Sequence, residues 1–305
     1  MFTGKRVLAI LNPSSGKGEA EGLVQSLGND LRATGASEVD VRVTEGPEDA
    51  FTWAEGAGEE GYDVVVAGGG DGTVTAVAHG VLRSGAGAII GIIPLGTGNG
   101  MARVLGLPLE PAETLAALAT GRLVDVDVAE VVSHDTISLL FFGAGLDAEI
   151  NRDADADEKA RLGALAYLKA TLANLRKSKN HDVTMSLDDR RTGLRAHTVT
   201  VLNATRFDLL GMRVGPDARP HDGQLKVTVM RSPGLLASLG QLLRLVNKRA
   251  SRAELETATL IRIEATPPLP VQVDGDVVGE TPLEARILPA ALKFISAADY
   301  HADER

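Results

Sequence analysis

Strand-like and helix-like patterns of apolar residues alternate along the first 105 residues of this chain. Short apolar or alternating runs predict strands at 5–13, 38–44, 63–67 and 88–94. Between them lie segments with helical spacing: the apolar positions from Val74 to Val81 recur at i, i+3, i+4 and i+7, on a helix predicted to start at Thr73. Strand and helix thus alternate four times. This predicts a doubly wound, parallel α/β sheet with ligand loops at the carboxyl ends of its strands.

The pattern changes near residue 124, after which strands dominate. They are predicted at 124–132, 136–150, 182–188, 196–203, 224–230, 259–265, 270–274 and 284–296. Two helices, at 158–177 and 234–248, interrupt them. The sequence therefore predicts a nucleotide-binding α/β domain at 1–123 and a β-rich, sandwich-like domain at 124–305.

The composition of the chain limits the classes of function that it could have. Apolar residues make up 44% of the chain and charged residues 24%, which is typical of a soluble protein with a proper core. Only 3% of residues are aromatic and the net charge is -10, so nucleic-acid binding is not expected. There is no cysteine, which excludes thiolate catalysis and cysteine-ligated metals. No run reaches the roughly 18 apolar residues of a transmembrane helix.

Glycine-rich loops follow three of the predicted strands, at 12–18, 68–73 and 95–100. Glycine lets backbone N–H groups approach an anion, and the helix that follows adds its positive end. The first loop lacks a Ser or Thr after Lys17, so it is not a complete P-loop, and alone it could equally be a flexible turn. Together the three loops predict a nucleotide phosphate site with the carboxylate of Asp71 inside it.

The loop motifs resemble those of the lipid kinase family that includes bacterial diacylglycerol kinases and sphingosine kinases. In the first half these motifs are Asn12-Pro13 with Gly16, GGGDGT at 68–73 and PLGTGN at 94–99. In the second half, 143–148 resembles the family's G-x-G-x-D-A segment, Asp222-Gly223 its D-G-x-L-x-V element and 274–276 its D-G-E element. The resemblance spans about residues 5–296, in order.

This resemblance implies transfer of the ATP γ-phosphoryl group to a hydroxyl of diacylglycerol or a related long-chain lipid alcohol, sphingoid bases included. ATP and Mg²⁺ are the implied cofactors. The implied nucleotide contacts are Asn12, Gly69, Gly70, Gly72, Thr73, Thr97 and Asn99. Asp71 and Asp274 are the implied catalytic residues: Asp71 holds Mg²⁺ and phosphates, and Asp274 is the general base. Asp222 is a second implied metal ligand.

The family resemblance also implies a cytoplasmic enzyme that associates peripherally with a membrane, where it meets its lipid substrate. A homodimer stays open as an alternative to a monomer.

Several alternatives stay open at this point. Val273–Asp276 is a good hairpin sequence, so Asp274 could be a turn residue. Asp222 could form a salt bridge or a turn, because the neighbouring position, acidic in the family, is His221. An NAD kinase shares G-G-D-G-T but shows N-x-G-x-x-G-F after the next strand, which this chain lacks. The other alternative function is a weakly catalytic, nucleotide- or lipid-binding regulator, since Gly100 replaces the family's usual acidic residue.

Overall fold

The computed structural model describes residues 1–13, 20–145, 180–209, 212–231 and 256–300, with the side chains of 20–25 and 206–217 left out. The loop predicted at 14–18 and the helices predicted at 158–177 and 234–248 lie outside these residues. Contacts divide the chain into two compact units. One contains Met1–Val128 and the residues from Pro289 onward, and the other contains Ala129–Leu288.

The first unit is a parallel α/β sheet. In chain order its elements are β1 (Arg6–Leu11), α1 (Ala20–Ala33), β2 (Glu38–Val43), α2 (Asp49–Gly56), β3 (Val64–Gly69), α3 (Asp71–Ser84), β4 (Ile89–Pro94), α4 (Gly100–Val104) and α5 (Pro111–Thr120). The strands pair in the order β2-β1-β3-β4, all parallel. The predicted α/β fold is therefore confirmed. The buried helix face at Val74–Val81 is confirmed as well.

The strands of the second unit are antiparallel. They are β6 (Thr136–Ser138), β7 (Phe141–Gly145), β8 (His181–Leu187), β9 (Arg190–Ala196), β10 (Thr198–Leu202), β11 (Thr205–Leu209), β12 (Met212–Ala218), β13 (Leu225–Met230), β14 (Glu256–Ala258), β15 (Leu260–Thr266), β16 (Pro270–Val273) and β17 (Asp276–Glu280). Two more strands, β5 (Arg122–Val131) and β18 (Leu283–Ser296), run through both units.

One hydrophobic core holds the second unit together. One sheet has the strand order β14-β13-β10-β7-β16-β17, and it contributes side chains such as Phe142 and Val201 to this core. Strands β18, β15, β8 and β9 pair in that order and contribute Ile261, Ile263 and Met185, among others. Two antiparallel layers on one core confirm the predicted sandwich-like domain.

These two units differ from the two domains predicted from the sequence, which divide at residue 124. The C-terminal half of β18 pairs in parallel with β4, through Lys293 with Ile89 and Phe294 with Ile90. The sequence pattern places all of 284–296 in the second domain, because alternation reveals a strand but not its partner.

The turn after β3 also differs from the prediction. Gly68 and Gly69 continue the strand, and α3 begins at Asp71 rather than Thr73. An added Cβ at Gly68 would lie 2.1 Å from Leu11 Cδ2 on the neighbouring strand, so a larger residue there would require the Leu11 side chain to move. Gly70 is extended and serves as the N-cap, which frees Asp71 to open the helix.

Two hairpin aspartates with positive φ anchor the second unit. Asp188 (φ 49°) and Asp274 (φ 47°) each sit in a two-residue turn, where Asp tolerates this left-handed conformation. The Asp188 carboxylate accepts hydrogen bonds from Thr259 N (2.9 Å), Thr259 Oγ1 (2.7 Å) and Leu260 N (2.9 Å). These bonds, led by that of the Thr259 side chain, lower the pKa of Asp188.

Among the described residues, no helix combines the length and apolar character needed to cross a bilayer.

We expect Asp188→Asn to lower the free energy of unfolding at pH 7 by about 1 kcal/mol, because bonds to a charged acceptor are replaced by bonds to a neutral one. The folded-state pKa of Asp188 lies below its unfolded value of about 3.9. Its stabilisation is therefore present above pH ~4 and is lost as the pH falls through the folded-state pKa. Urea unfolding should show the variant and wild type converging at low pH. Asp189→Asn is the control, and a stability gap that persists at pH 2 would contradict the assignment.

Candidate active site

The carboxyl ends of β1, β3 and β4 are neighbours, because these strands are adjacent and parallel. Asn12 directly follows β1. Its backbone N–H donates to Gly68 O (2.8 Å), and its side-chain Nδ2 donates to Thr73 Oγ1 (3.2 Å). The loop after β1 is thereby joined to the start of α3, as the predicted convergence of the glycine loops requires.

The first turn of α3 is built for close approach of an anion. Gly69 ends β3, Gly70 is the N-cap, and no side chain caps the helix. The N–H groups of Asp71, Gly72 and Thr73 lie in the first turn, where a helix offers them no acceptor. An added Cβ at Gly69 would lie 2.4 Å from Thr73 Oγ1, so this position requires glycine. A phosphate is the group that such a helix start binds well.

Asp71 connects this helix to the loop after β4. Its Oδ1 accepts a hydrogen bond from Gly100 N (2.7 Å), the first residue of α4. Burial raises the pKa of Asp71, while this donor and the charge of Arg103 oppose the rise. The carboxylate thus caps α4 and fixes the 95–100 loop on the start of α3.

The loop at 95–100 is also fastened internally. Asn99 is only 7% exposed and has positive φ (51°). Its Oδ1 accepts from Gly96 N (2.9 Å), and its Nδ2 donates to Gly96 O (2.7 Å). An added Cβ at Gly96 would lie 2.6 Å from Gly70 Cα, so the two loops touch backbone to backbone. Thr97, at the exposed tip of this loop, stays a predicted nucleotide contact.

Gly98 belongs to the predicted loop at 95–100, whereas the sequence analysis missed Arg103. An added Cβ at Gly98 would lie 2.7 Å from Asp71 Oδ2. The Nε of Arg103 donates to Gly98 O (3.0 Å). Arg103 follows Asn99 by four residues, which is one helical turn, and that spacing was the available signal.

Asp274 belongs to the second unit, in the turn between β16 and β17. Its carboxylate accepts hydrogen bonds from Ser138 Oγ (2.7 Å), Leu139 N (2.9 Å), Leu140 N (3.0 Å) and Phe141 N (3.0 Å). Burial raises the pKa of Asp274, and these donors oppose the rise. The hairpin-turn interpretation therefore describes its place in the fold, and its role as a general base stays a prediction. Ser138 is a further residue that the sequence analysis missed.

Asp222 lies on a different turn of the second unit. It accepts hydrogen bonds from Lys226 Nζ (2.6 Å) and Gln224 N (3.2 Å), so the salt bridge considered as an alternative is present. In the part of the chain that the structure describes, no three His, Asp or Glu side chains are grouped so as to hold a metal ion. A carboxylate paired with lysine does not fit a Mg²⁺ ligand, and we assign no step to a metal at Asp222.

Comparison with known proteins agrees with these motifs. Residues 6–131 match the family model described as "Diacylglycerol kinase catalytic domain", and residues 141–296 match "YegS C-terminal NAD kinase beta sandwich-like domain". A Pseudomonas aeruginosa protein named "Probable lipid kinase YegS-like" is 32% identical over 258 residues, which cover 84% of each chain. The chain belongs to this lipid kinase family. The predicted family is thereby confirmed.

Other lipid kinases match over nearly the whole length. A protein of Staphylococcus carnosus named "Diacylglycerol kinase" is 26% identical over 283 residues, covering 91% of this chain and 90% of that one. The crystal structure of a diacylglycerol kinase from Bacillus anthracis aligns with a TM-score of 0.80 and 26% identity, covering 96% of this chain and 97% of that one. Both domains of the fold therefore occur together in these kinases.

We expect Gly98→Ala to disturb the contact between Asp71 and the 95–100 loop, because the new Cβ would lie 2.7 Å from Asp71 Oδ2. Overpacking of this kind costs about 1 kcal/mol or more, so nucleotide affinity should fall about fivefold or more. Affinity is measured by calorimetric titration with ATP. Gly193→Ala is the matched control, since a Cβ there meets nothing within 4 Å. Equal affinities of the two variants would show that the crowding at Gly98 has no influence on the site.

Proposed function

We propose that this lipid kinase transfers the γ-phosphoryl group of ATP to the hydroxyl of a long-chain lipid alcohol, either diacylglycerol or a sphingoid base. The observation that carries the proposal is the loop cluster in the first unit, where α3 begins at a glycine N-cap that has no side chain to cap it and the neighbouring loop is fixed by Asp71. Such a helix start is suited to the phosphates of a nucleotide. The lipid acceptor rests on the family and on its relatives' names.

In this proposal the nucleotide phosphates bind at the N–H groups of Gly70–Thr73, beside Asn12, Thr97 and Asn99. ATP enters as its Mg²⁺ complex, so the metal arrives with the substrate, and it neutralises charge on the phosphates. The Asp71 carboxylate accepts a hydrogen bond from Gly100 N at the start of α4. Its contribution is therefore to hold two loops in the geometry that phosphoryl transfer needs.

The chemical step breaks the bond between the γ-phosphorus and the β–γ bridging oxygen and forms a bond from phosphorus to the lipid oxygen. The hydroxyl proton goes to a base, and Asp274 is our candidate. Three donors, Ser138 Oγ, Leu140 N and Phe141 N, bind its Oδ1, whereas Leu139 N binds its Oδ2. Of these donors, the Ser138 hydroxyl is a rotatable side chain, whereas the other three are backbone N–H groups. Rotation of Ser138 would remove one of the three donors at Oδ1, so that this oxygen could accept the proton.

The acceptor lipid resides in a membrane, so the proposal places the reaction at a membrane surface, with the enzyme peripherally bound on the cytoplasmic side.

The decisive assay incubates the protein with labelled ATP and a panel of acceptors, and identifies products by mass. Diacylglycerol, monoacylglycerol, a sphingoid base, ceramide and NAD form the panel. A phosphorylated lipid supports the proposal and names the acceptor. Phosphorylated NAD as the sole product would favour the NAD kinase alternative. ATP binding without any product would favour a regulator.

We expect Asp274→Asn to reduce turnover by about 100-fold or more, because a neutral amide cannot accept the hydroxyl proton. Asp188→Asn is the matched control, since that residue occupies the same kind of turn and also accepts backbone N–H groups. Both variants should lose some stability in thermal unfolding, and only Asp274→Asn should lose turnover. If turnover per folded molecule is unchanged in Asp274→Asn, Asp274 is a structural residue and another group is the base.

A further inference from the structure

Phosphate binding at the loop cluster faces an electrostatic obstacle. The Asp71 carboxylate lies inside the cluster, against the N–H group of Gly100. Nucleotide phosphates are strongly anionic, and like charges at short range in a partly buried site repel one another. A positive side chain at this site would therefore favour phosphate binding, in addition to the backbone N–H groups and the Mg²⁺ that arrives with ATP.

Arg103 brings positive charge to this place. It lies in α4, where its backbone N–H donates to Asn99 O (3.1 Å), and its Nε donates to Gly98 O (3.0 Å). Gly98 is in turn packed against the carboxylate of Asp71. Burial raises the pKa of Asp71, and the charge of Arg103 opposes part of that rise. Arg6, by comparison, begins β1 and therefore lies at the amino ends of the strands, away from the loop cluster.

The contact of Arg103 with Gly98 also orients the guanidinium. A donated Nε–H fixes the plane of the group at the base of the loop whose tip, Thr97 and Gly98, is exposed. A planar guanidinium matches phosphate oxygens well and keeps its charge at every physiological pH. Arg103 is half-buried, so solvent screens its charge less than that of a fully exposed side chain.

We propose that Arg103 is a nucleotide-binding residue that interacts with the β- and γ-phosphates of ATP while holding the 95–100 loop through Gly98 O. The inference rests on the proposed function, since it assumes that the loop cluster binds ATP. It assigns the charge-neutralising role in the first unit to a residue of α4, outside the three glycine loops.

The test compares Arg103→Gln with Arg103→Lys in calorimetric titrations with ATP, ADP and AMP, in the absence of any lipid. Gln retains an N–H that can donate to Gly98 O but loses the charge, whereas Lys retains the charge. We expect Arg103→Gln to weaken ATP binding by about tenfold or more, the scale of a charge-assisted hydrogen bond. The loss should be smaller for ADP and near zero for AMP, and Arg103→Lys should lose less than Arg103→Gln. Added salt should reduce the difference from wild type.

The control is Arg83→Gln, in the last turn of α3, at the end of that helix opposite Asp71. It should bind all three nucleotides as wild type does. Thermal unfolding establishes that each variant is folded. An equal loss for AMP, ADP and ATP would overturn the proposal, because it would mean that Arg103 only braces the loop. Unchanged ATP affinity in a folded Arg103→Gln would overturn it too. Wild type that binds no nucleotide would instead defeat the proposed function itself.

Discussion

The hydrogen bond from Gly100 N at the start of α4 to the Asp71 carboxylate is the constraint on which the loop cluster depends. A carboxylate that is partly removed from water loses hydration, and this N–H donor together with the charge of Arg103 compensates for part of the loss. The bond thereby holds two loops, which follow different strands, against each other. Without this bond, the backbone contact of Gly96 with Gly70 would remain, but the start of α4 would lose its tie to α3. Asp71 therefore has a structural role, although the sequence motifs suggest a direct role in catalysis.

Asp188 and Asp274 show the same principle in the second unit. Both occupy hairpin turns with positive φ, and both direct the carboxylate at the backbone N–H groups of another segment. A turn aspartate of this kind fixes its own hairpin and also a distant turn, as Asp274 does for residues 138–141. The chain thus uses short carboxylates as ties between segments that lie far apart in sequence.

The sequence predicted the parts of the fold that hydrophobic periodicity encodes. The fully buried run Val64–Ala67 and the apolar face at Val74–Val81 predicted β3 and α3. Strand β9 escaped prediction because Arg190–Gly193 are all exposed, so no alternation marks it. Arg103 and Ser138 escaped because their roles arise from hydrogen bonds to residues on other segments. Periodicity within one segment carries no information about such partners. The same limit applies to β18, whose division between two units depends on a pairing partner.

The division of β18 has a consequence for how the chain folds during synthesis. Lys293 pairs with Ile89, so the partner strand of β4 follows it by about two hundred residues. The ribosome releases the N-terminal α/β segment long before that partner exists. Until then β4 presents an unpaired edge, which is the kind of surface on which nascent chains associate wrongly. Closing so long a loop is also slow, because the entropy of the intervening chain must be overcome before the pairing contributes. A strand synthesised about two hundred residues later therefore pairs with the edge that β4 presents.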